Sequence, residues 1–241
     1  MGSVAVAVIC KTPVAGRSKT RLSPPLRPEE CAEISGCFIH DLGATIAGLP
    51  RAAAQPYAVY TPAGSEAALQ ALLPPEFRLL LQGEGDLGDR LLQGMAGLLA
   101  AGHAGAMLIN SDSPTLPPAL LQAGVTALQT GREMVISPAF DGGYTFIGLR
   151  HPHRRLFEEI AWSTSTVFQR TLQRAAEIGL EPLVLDSWYD IDDAVSYAML
   201  EAELAGRRPG FVGSGLPLQD APMTRRFVER RRAAVQMEIG L

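Results

Sequence analysis

The chain has 241 residues, 47% hydrophobic and 19% charged, which excludes a disordered or fibrous protein and leaves ample apolar material for a core. A net charge of −4 excludes a globally basic nucleic-acid binder, so a basic segment must act locally and no nucleic-acid partner is expected. Three cysteines, Cys10, Cys31 and Cys37, lie in apolar surroundings, which argues against a disulfide framework and for buried, reduced thiols.

The first element is the Val-rich run at 3–10, continuously apolar as a strand covered on both faces should be. It has no basic segment before it, and no apolar stretch reaches the ~18 residues of a membrane span, so a cytoplasmic protein is expected. After the loop "CKTPVAGRSKTRLSPP", Pro28 opens a helix with Glu29 and Glu30 at its positive end and a stripe of Ile34, Phe38, Leu42, Ile46 and Leu49. Residues 56–61 and 77–82 read as strands with a short helix between them, and 87–101 as a helix closed by Gly102. "AMLIN" leads into a strand ending near Ser111, and a Pro-initiated helix follows to Gly131. "EMVIS" and "YTFIGL" are strands around "PAFDGG", "STSTVFQRTLQRAAEIG" is a helix, "PLVLD" is the last strand and 193–205 the last helix of the main body.

This alternation predicts an α/β fold, a mostly parallel sheet with helices on both faces, in one domain over 1–206. Residues 207–241 read as a loop and a helix bearing Arg225, Arg226, Arg230, Arg231 and Arg232. That cluster is either a solvated helix face or a contact for an acidic partner or anionic lipid.

Ligands of such sheets bind outside the carboxyl ends of the strands, which directs attention to four segments. The basic loop carries Lys11, Arg17, Lys19 and Arg21 with Gly16. It fails the P-loop pattern, because Pro13 stands where a glycine is required and Ser18 precedes Lys19. Charge alone leaves a phosphate cradle and a solvated loop open. "MLINSDSPTLP" delivers Asp112 at a strand end, as a turn residue or as an oxygen ligand for a hard cation. "SWYDIDDAV" places Asp190, Asp192 and Asp193 together, and three carboxylates so close call for a cation, a helix terminus or solvent. "AFDGGYTFIGL" offers a hairpin turn at Asp141, Gly142 and Gly143, or a wall for acceptor or donor with Asp141 and Tyr144 as polar contacts. His40, His103, His151 and His153 have no metal-ligand spacing.

In order, "KTPVAGRSKTRL", "QGEGDLGDRL", "INSDSPTLP", "SPAFDGGYTFIGL", "WSTSTVF" and "WYDIDDA" resemble a bacterial GT-A glycosyltransferase-like family. That family is a relative of the 2-phospholactate guanylyltransferases within the nucleotide-diphospho-sugar transferase superfamily. The resemblance spans about residues 3–200 and implies a GT-A Rossmann-like three-layer α/β/α sandwich, a nucleotide donor, a small-molecule acceptor and Mg²⁺ or Mn²⁺. By position it makes Lys11, Gly16, Arg17, Lys19 and Arg21 the donor-phosphate loop and Asp112 a metal ligand. Asp192 would be the second ligand, with Asp190 as its rival, since Asp193 and Ser196 depart from the superfamily's segment.

Two reactions fit such a site. In glycosyl transfer, which the family label favours, a nucleoside diphosphate leaves and Asp141 is the candidate base. In nucleotidyl transfer, which a dense basic loop suits, a substrate phosphate attacks a nucleoside triphosphate and pyrophosphate leaves, with Lys19 and Arg21 on the developing charge. A third expectation, a nucleotide-binding regulator without turnover, is weakened by the carboxylates. Donor base, stereochemistry and oligomeric state are not legible.

Overall fold

Side chains of the first strand point alternately to two different cores. Val4, Val6 and Val8 enter one apolar cluster, and Ala5 and Ala7 enter the other. The computed structural model describes residues 2–211 and 216–239. Its elements are β1 (Val4–Lys11), α1 (Pro28–Ala47), β2 (Ala54–Thr61), α2 (Glu66–Gln70), β3 (Arg78–Leu81), α3 (Leu87–Ala100) and β4 (Gly105–Asn110). There follow α4 (Pro118–Gln129), β5 (Met134–Pro138), β6 (Tyr144–Leu149), α5 (Val167–Glu177), β7 (Leu183–Val184), α6 (Ala194–Leu204) and α7 (Pro222–Ile239).

The strands form one seven-stranded sheet in the order β3-β2-β1-β4-β6-β5-β7. β6 alone runs antiparallel, wedged between β4 and β5. One face is covered by α1, α4, α6 and α7 and the other by α3 and α5, giving the expected three layers. The parallel strands therefore send their carboxyl ends, and β6 its amino end, to one edge. That edge carries the basic loop after β1, Asp112 after β4, the β5–β6 turn and the Asp-rich segment after β7.

Caps set the helix starts. Asp86 accepts the Asp89 N–H at 2.9 Å to begin α3, and Asp193 accepts the Ser196 N–H at 2.8 Å to begin α6. The departure of Asp193 and Ser196 from the superfamily pattern is thus a self-contained cap. The last strand is shorter than "PLVLD" implies. Only Leu183 and Val184 pair regularly with β5, Leu185 N–H still reaches Ile136 O at 2.9 Å, and pairing resumes at Trp188 opposite Ala139. Short 3₁₀ turns at Thr20–Leu22 and Arg154–Phe157 carry no apolar period that would announce them.

α7 belongs to the same core as α1. Phe227 and Val228 are buried in it, and the buried Asp41 of α1 accepts the N–H groups of Met223 (3.1 Å) and Thr224 (2.8 Å). Tail arginines are held by the chain itself: Arg225 by Asp220, Arg230 by Glu33, and Arg231 by the Pro25 carbonyl. Part of the loop before α7, residues 212–215, lies outside the described residues. Cys10, Cys31 and Cys37 are free and buried. Among the described residues no helix is long and apolar enough to cross a membrane.

Candidate active site

The basic loop turns back on itself before it reaches the sheet edge. Arg17 and Ser18 N–H groups both bond the Val14 carbonyl at 3.0 Å, and the Ser18 hydroxyl accepts the Val14 N–H at 2.9 Å. Gly16 takes φ +73° with open space around it, which a side-chain-bearing residue would resist on backbone grounds alone. Lys19 itself adopts the left-handed region, φ 49° and ψ 38°, an uncommon conformation for a residue with a Cβ.

That conformation aims its side chain inward. The Lys19 ammonium donates to Asp112 Oδ1 at 2.8 Å, Asp192 Oδ1 at 2.8 Å and the Ile191 carbonyl at 2.6 Å, so all three of its protons are used. Burial opposes its charge, and the two carboxylates more than offset burial, so its pKa stands above the ordinary lysine value. Arg21 reaches the other Asp192 oxygen at 3.1 Å from an exposed position. Asp112 and Asp192, the pair expected to share a metal, thus share a lysine.

Asp192 also faces a second group. Carboxylate oxygens of Asp141, Asp190 and Asp192 all lie within 4.8 Å of one another. Burial first, and then the neighbouring charges of Asp141, Asp192 and Asp112, push the Asp190 carboxyl up to about 7. Asp190 and Asp192, the rivals left open in the sequence, thus lie in one cluster with Asp141.

The segment holding these acids is fixed from below. The Ile191 N–H donates to the Asp112 carbonyl at 2.9 Å. Trp188 is fully buried, and its indole N–H donates to Thr115 Oγ1 at 3.3 Å, which donates to Glu203 Oε2 at 2.9 Å. The Tyr189 hydroxyl also donates to Glu203. Buried polar groups joined in this way hold one geometry, because breaking any link strands the others. No motif around Glu203 or Thr115 announces this network; only the packing of α6 against the β4–α4 connection creates it.

Two clefts meet at Arg21, Asp112 and Asp192. The first, about 270 Å³, is basic, with Lys11, Arg17, Lys19 and Arg21 beside the hydroxyl residues Thr20, Ser35 and Ser111. The second, about 220 Å³, takes Asp141, Gly143, Tyr144 and Asp190 together with Leu87, Leu91, Trp162 and Val167. Lys11, Arg17, Lys19, Arg21, Asp112 and Asp192 are thus gathered at one place, and Asp141, Gly143 and Tyr144 lie beside it. Gly16 and Gly142 line neither cleft. Trp162 and Leu87 were not singled out in the sequence, although "WSTSTVF" and "QGEGDLGDRL" contain them.

Gly142 has a structural reason of its own. It sits at φ +92° in the β5–β6 turn, and an added Cβ would stand 2.1 Å from the Ser165 carbonyl oxygen. The Phe168 N–H bonds the Gly142 carbonyl at 2.8 Å, so the turn is pinned to the start of α5. Gly142→Ala should therefore cost about 2–4 kcal/mol through backbone strain and overlap, readable as a lower urea midpoint. A variant as stable as the parent would contradict the close approach.

A mixed sheet with one reversed strand, a basic loop after its first strand and acids along the same edge defines a Rossmann-like fold of the nucleotide-sugar transferase type. Residues 45–164 match the family model described as "Uncharacterized protein conserved in bacteria (DUF2064)". It is similar to a protein from Desulfovibrio desulfuricans G20 that is provisionally named a nucleotide-diphospho-sugar transferase. The two share 27% identity over 98% of each chain, with a TM-score of 0.80. CMP:2-keto-3-deoxy-manno-octonic acid synthetase, solved with CTP, shares the fold at 10% identity and TM-score 0.55, over 86% of this chain and all of that one. A 4-diphosphocytidyl-2C-methyl-D-erythritol synthase does so at 12% and 0.54, over 83% and 97%. No curated protein sequence matches the chain.

Proposed function

We propose that the protein is a metal-dependent transferase that uses a nucleotide donor, and that the donor is a nucleotide-diphospho-sugar. The observation that carries this reading is the pairing of a basic cleft with a second, acid-lined cleft across a shared edge of Arg21, Asp112 and Asp192. The resemblance to the Desulfovibrio protein supports it.

The donor's two phosphates would lie in the first cleft against Lys11, Arg17 and Arg21, where charge-assisted hydrogen bonds hold them. Nucleotidyl transfer was favoured by the density of cations in this loop. Lys19 is spent on Asp112, Asp192 and Ile191, which leaves fewer charges than a triphosphate demands. Lys19 acts instead as the post that keeps the two carboxylates in place.

The all-oxygen cluster of Asp190 and Asp192, with Asp141 alongside, suits a hard divalent ion such as Mg²⁺ or Mn²⁺. When bound, such an ion would supply neutralisation of the departing diphosphate. The acceptor would occupy the second cleft. Its hydroxyl oxygen forms a bond to the anomeric carbon, the carbon–oxygen bond to the diphosphate breaks, and the nucleoside diphosphate leaves with the electron pair. Asp141 is exposed, and its Oδ1 is held by the Gly143 N–H at 2.8 Å, leaving Oδ2 to take the hydroxyl proton.

The test is a thermal-shift panel of nucleotide sugars and nucleoside triphosphates, each with and without Mg²⁺ or Mn²⁺. Nucleotide sugars should raise the melting temperature in a metal-dependent way, and Lys11→Glu with Arg17→Glu should abolish the rise. Stabilisation by triphosphates alone would overturn the choice of donor.

A further inference from the structure

The second cleft says more about the acceptor than that it is small. Its lining combines acids and hydrocarbon with the neutral polar residues Asn110, Tyr144, Thr145, Ser163 and Thr164. Four carboxylates, those of Asp112, Asp141, Asp190 and Asp192, line it, and Arg21 is the single cation among the described lining residues. Arg21 is itself paired with Asp192. Leu87, Leu91, Leu108 and Val167 line it as well, with the indole of Trp162. Leu87 is 42% exposed, an apolar side chain of the cleft that faces solvent.

Charge balance excludes an anionic occupant. A single divalent ion on the carboxylates, together with Lys19 and Arg21, would just neutralise the four acids and leave no surplus positive charge. A phosphate or carboxylate entering this cleft would be desolvated beside acids, with Arg21 already paired to Asp192. A hydroxyl group pays no such penalty, since it donates to a carboxylate. The hydrocarbon in the lining then requires an apolar body on the same molecule, because covering Leu87 and Trp162 is what such a ligand gains. About 220 Å³, below the ~300–1,000 Å³ of clefts that enclose larger ligands, limits the occupant to a small molecule.

We infer that the second cleft takes an uncharged hydroxyl compound with an apolar or aromatic face, and discriminates against phosphorylated and carboxylated acceptors. The inference rests on the transferase reading for the word acceptor; the ligand class itself follows from the cleft.

The chain has two tryptophans, of which Trp188 is fully buried and Trp162 lines the cleft, so tryptophan emission reports occupancy directly. Phenyl glucoside, glucose and glucose 6-phosphate, titrated in Mg²⁺, form a matched set. Phenyl glucoside should change the emission with an affinity at least about tenfold above the other two. Trp162→Phe should remove the signal, and Leu87→Asp should weaken binding by at least about tenfold at an unchanged melting temperature. Glucose 6-phosphate binding as tightly as phenyl glucoside, no response to phenyl glucoside, or a signal that survives Trp162→Phe would each overturn the inference. Nucleotide thermal shifts on the same sample separate the two readings. Phenyl glucoside binding without any nucleotide shift sinks the transferase and keeps the ligand class. A nucleotide shift with preference for glucose 6-phosphate does the reverse.

Discussion

Replacing Lys19 by methionine should lower the melting temperature in metal-free buffer, and millimolar Mn²⁺ should restore most of the loss. The ammonium bridges Asp112 and Asp192, at 2.8 Å from each. Removing it leaves two carboxylates facing one another and strips the Ile191 carbonyl of its donor. Breaking a fully buried pair costs about 3–5 kcal/mol, but these carboxylates are about 30% exposed, so water takes up part of the loss. About 1–3 kcal/mol remains, or about 3–10 °C for a chain of this size. Methionine keeps the length of the stem and supplies no charge. The vacated position then suits a cation held by oxygen, so the variant should gain more stability from Mn²⁺ than the parent does. If Lys19 were instead a phosphate ligand, the variant would keep its stability, show no added response to metal, and lose only nucleotide affinity. That outcome would restore the sequence-level reading of the loop and refute the structural one.

The same residue shows where sequence reading reaches its limit. The strands were legible because β-branched and apolar runs bounded by Gly and Pro have a local cause, as Val4–Lys11 and Met134–Pro138 illustrate. Helix starts at Pro28 and Asp193 were legible for the same reason, since caps act within one turn. The basic loop, Asp112 and the Asp-rich segment could be placed at one edge because carboxyl ends of parallel strands share it. What Lys19 touches could not be read, because Asp192 lies 173 positions away and the left-handed backbone that aims the side chain leaves no mark in composition. Asp141 joins Asp190 for an equally distant reason. β6 enters antiparallel between β4 and β5, which folds the Asp141 turn over the end of β5 where Trp188 resumes pairing. Trp162 escaped because a lone aromatic between polar residues has no period; only its place against the cleft gives it meaning.

Asp190→Asn should make the metal-free protein more stable at alkaline pH and leave it unchanged in acid. The Asp190 carboxyl sits at about 7 against an ordinary value of 3.8, raised by burial and then by Asp141, Asp192 and Asp112. A carboxyl raised in the folded state contributes its full stability below the unfolded value, and loses it as pH rises through the folded one. Only below the ordinary value of 3.8, near pH ~3, is the group largely protonated folded and unfolded alike, so that asparagine changes little. Above pH 7 the folded protein carries a buried, repelled charge that the unfolded chain holds in water at no cost. The full shift corresponds to about 4 kcal/mol, an upper bound because the three carboxylates share the proton. A gain of about 5 °C in melting temperature at pH 8 is expected, shrinking to nothing near pH ~3. Saturating Mg²⁺ should reverse the order at pH 8, since the cation rewards the very charge that folding penalises. A difference between variant and parent that is flat in pH would mean that Asp190 titrates as a solvated acid. A reversal that fails in Mg²⁺ would mean that the divalent ion does not use Asp190, and would move the proposed metal away from this cluster.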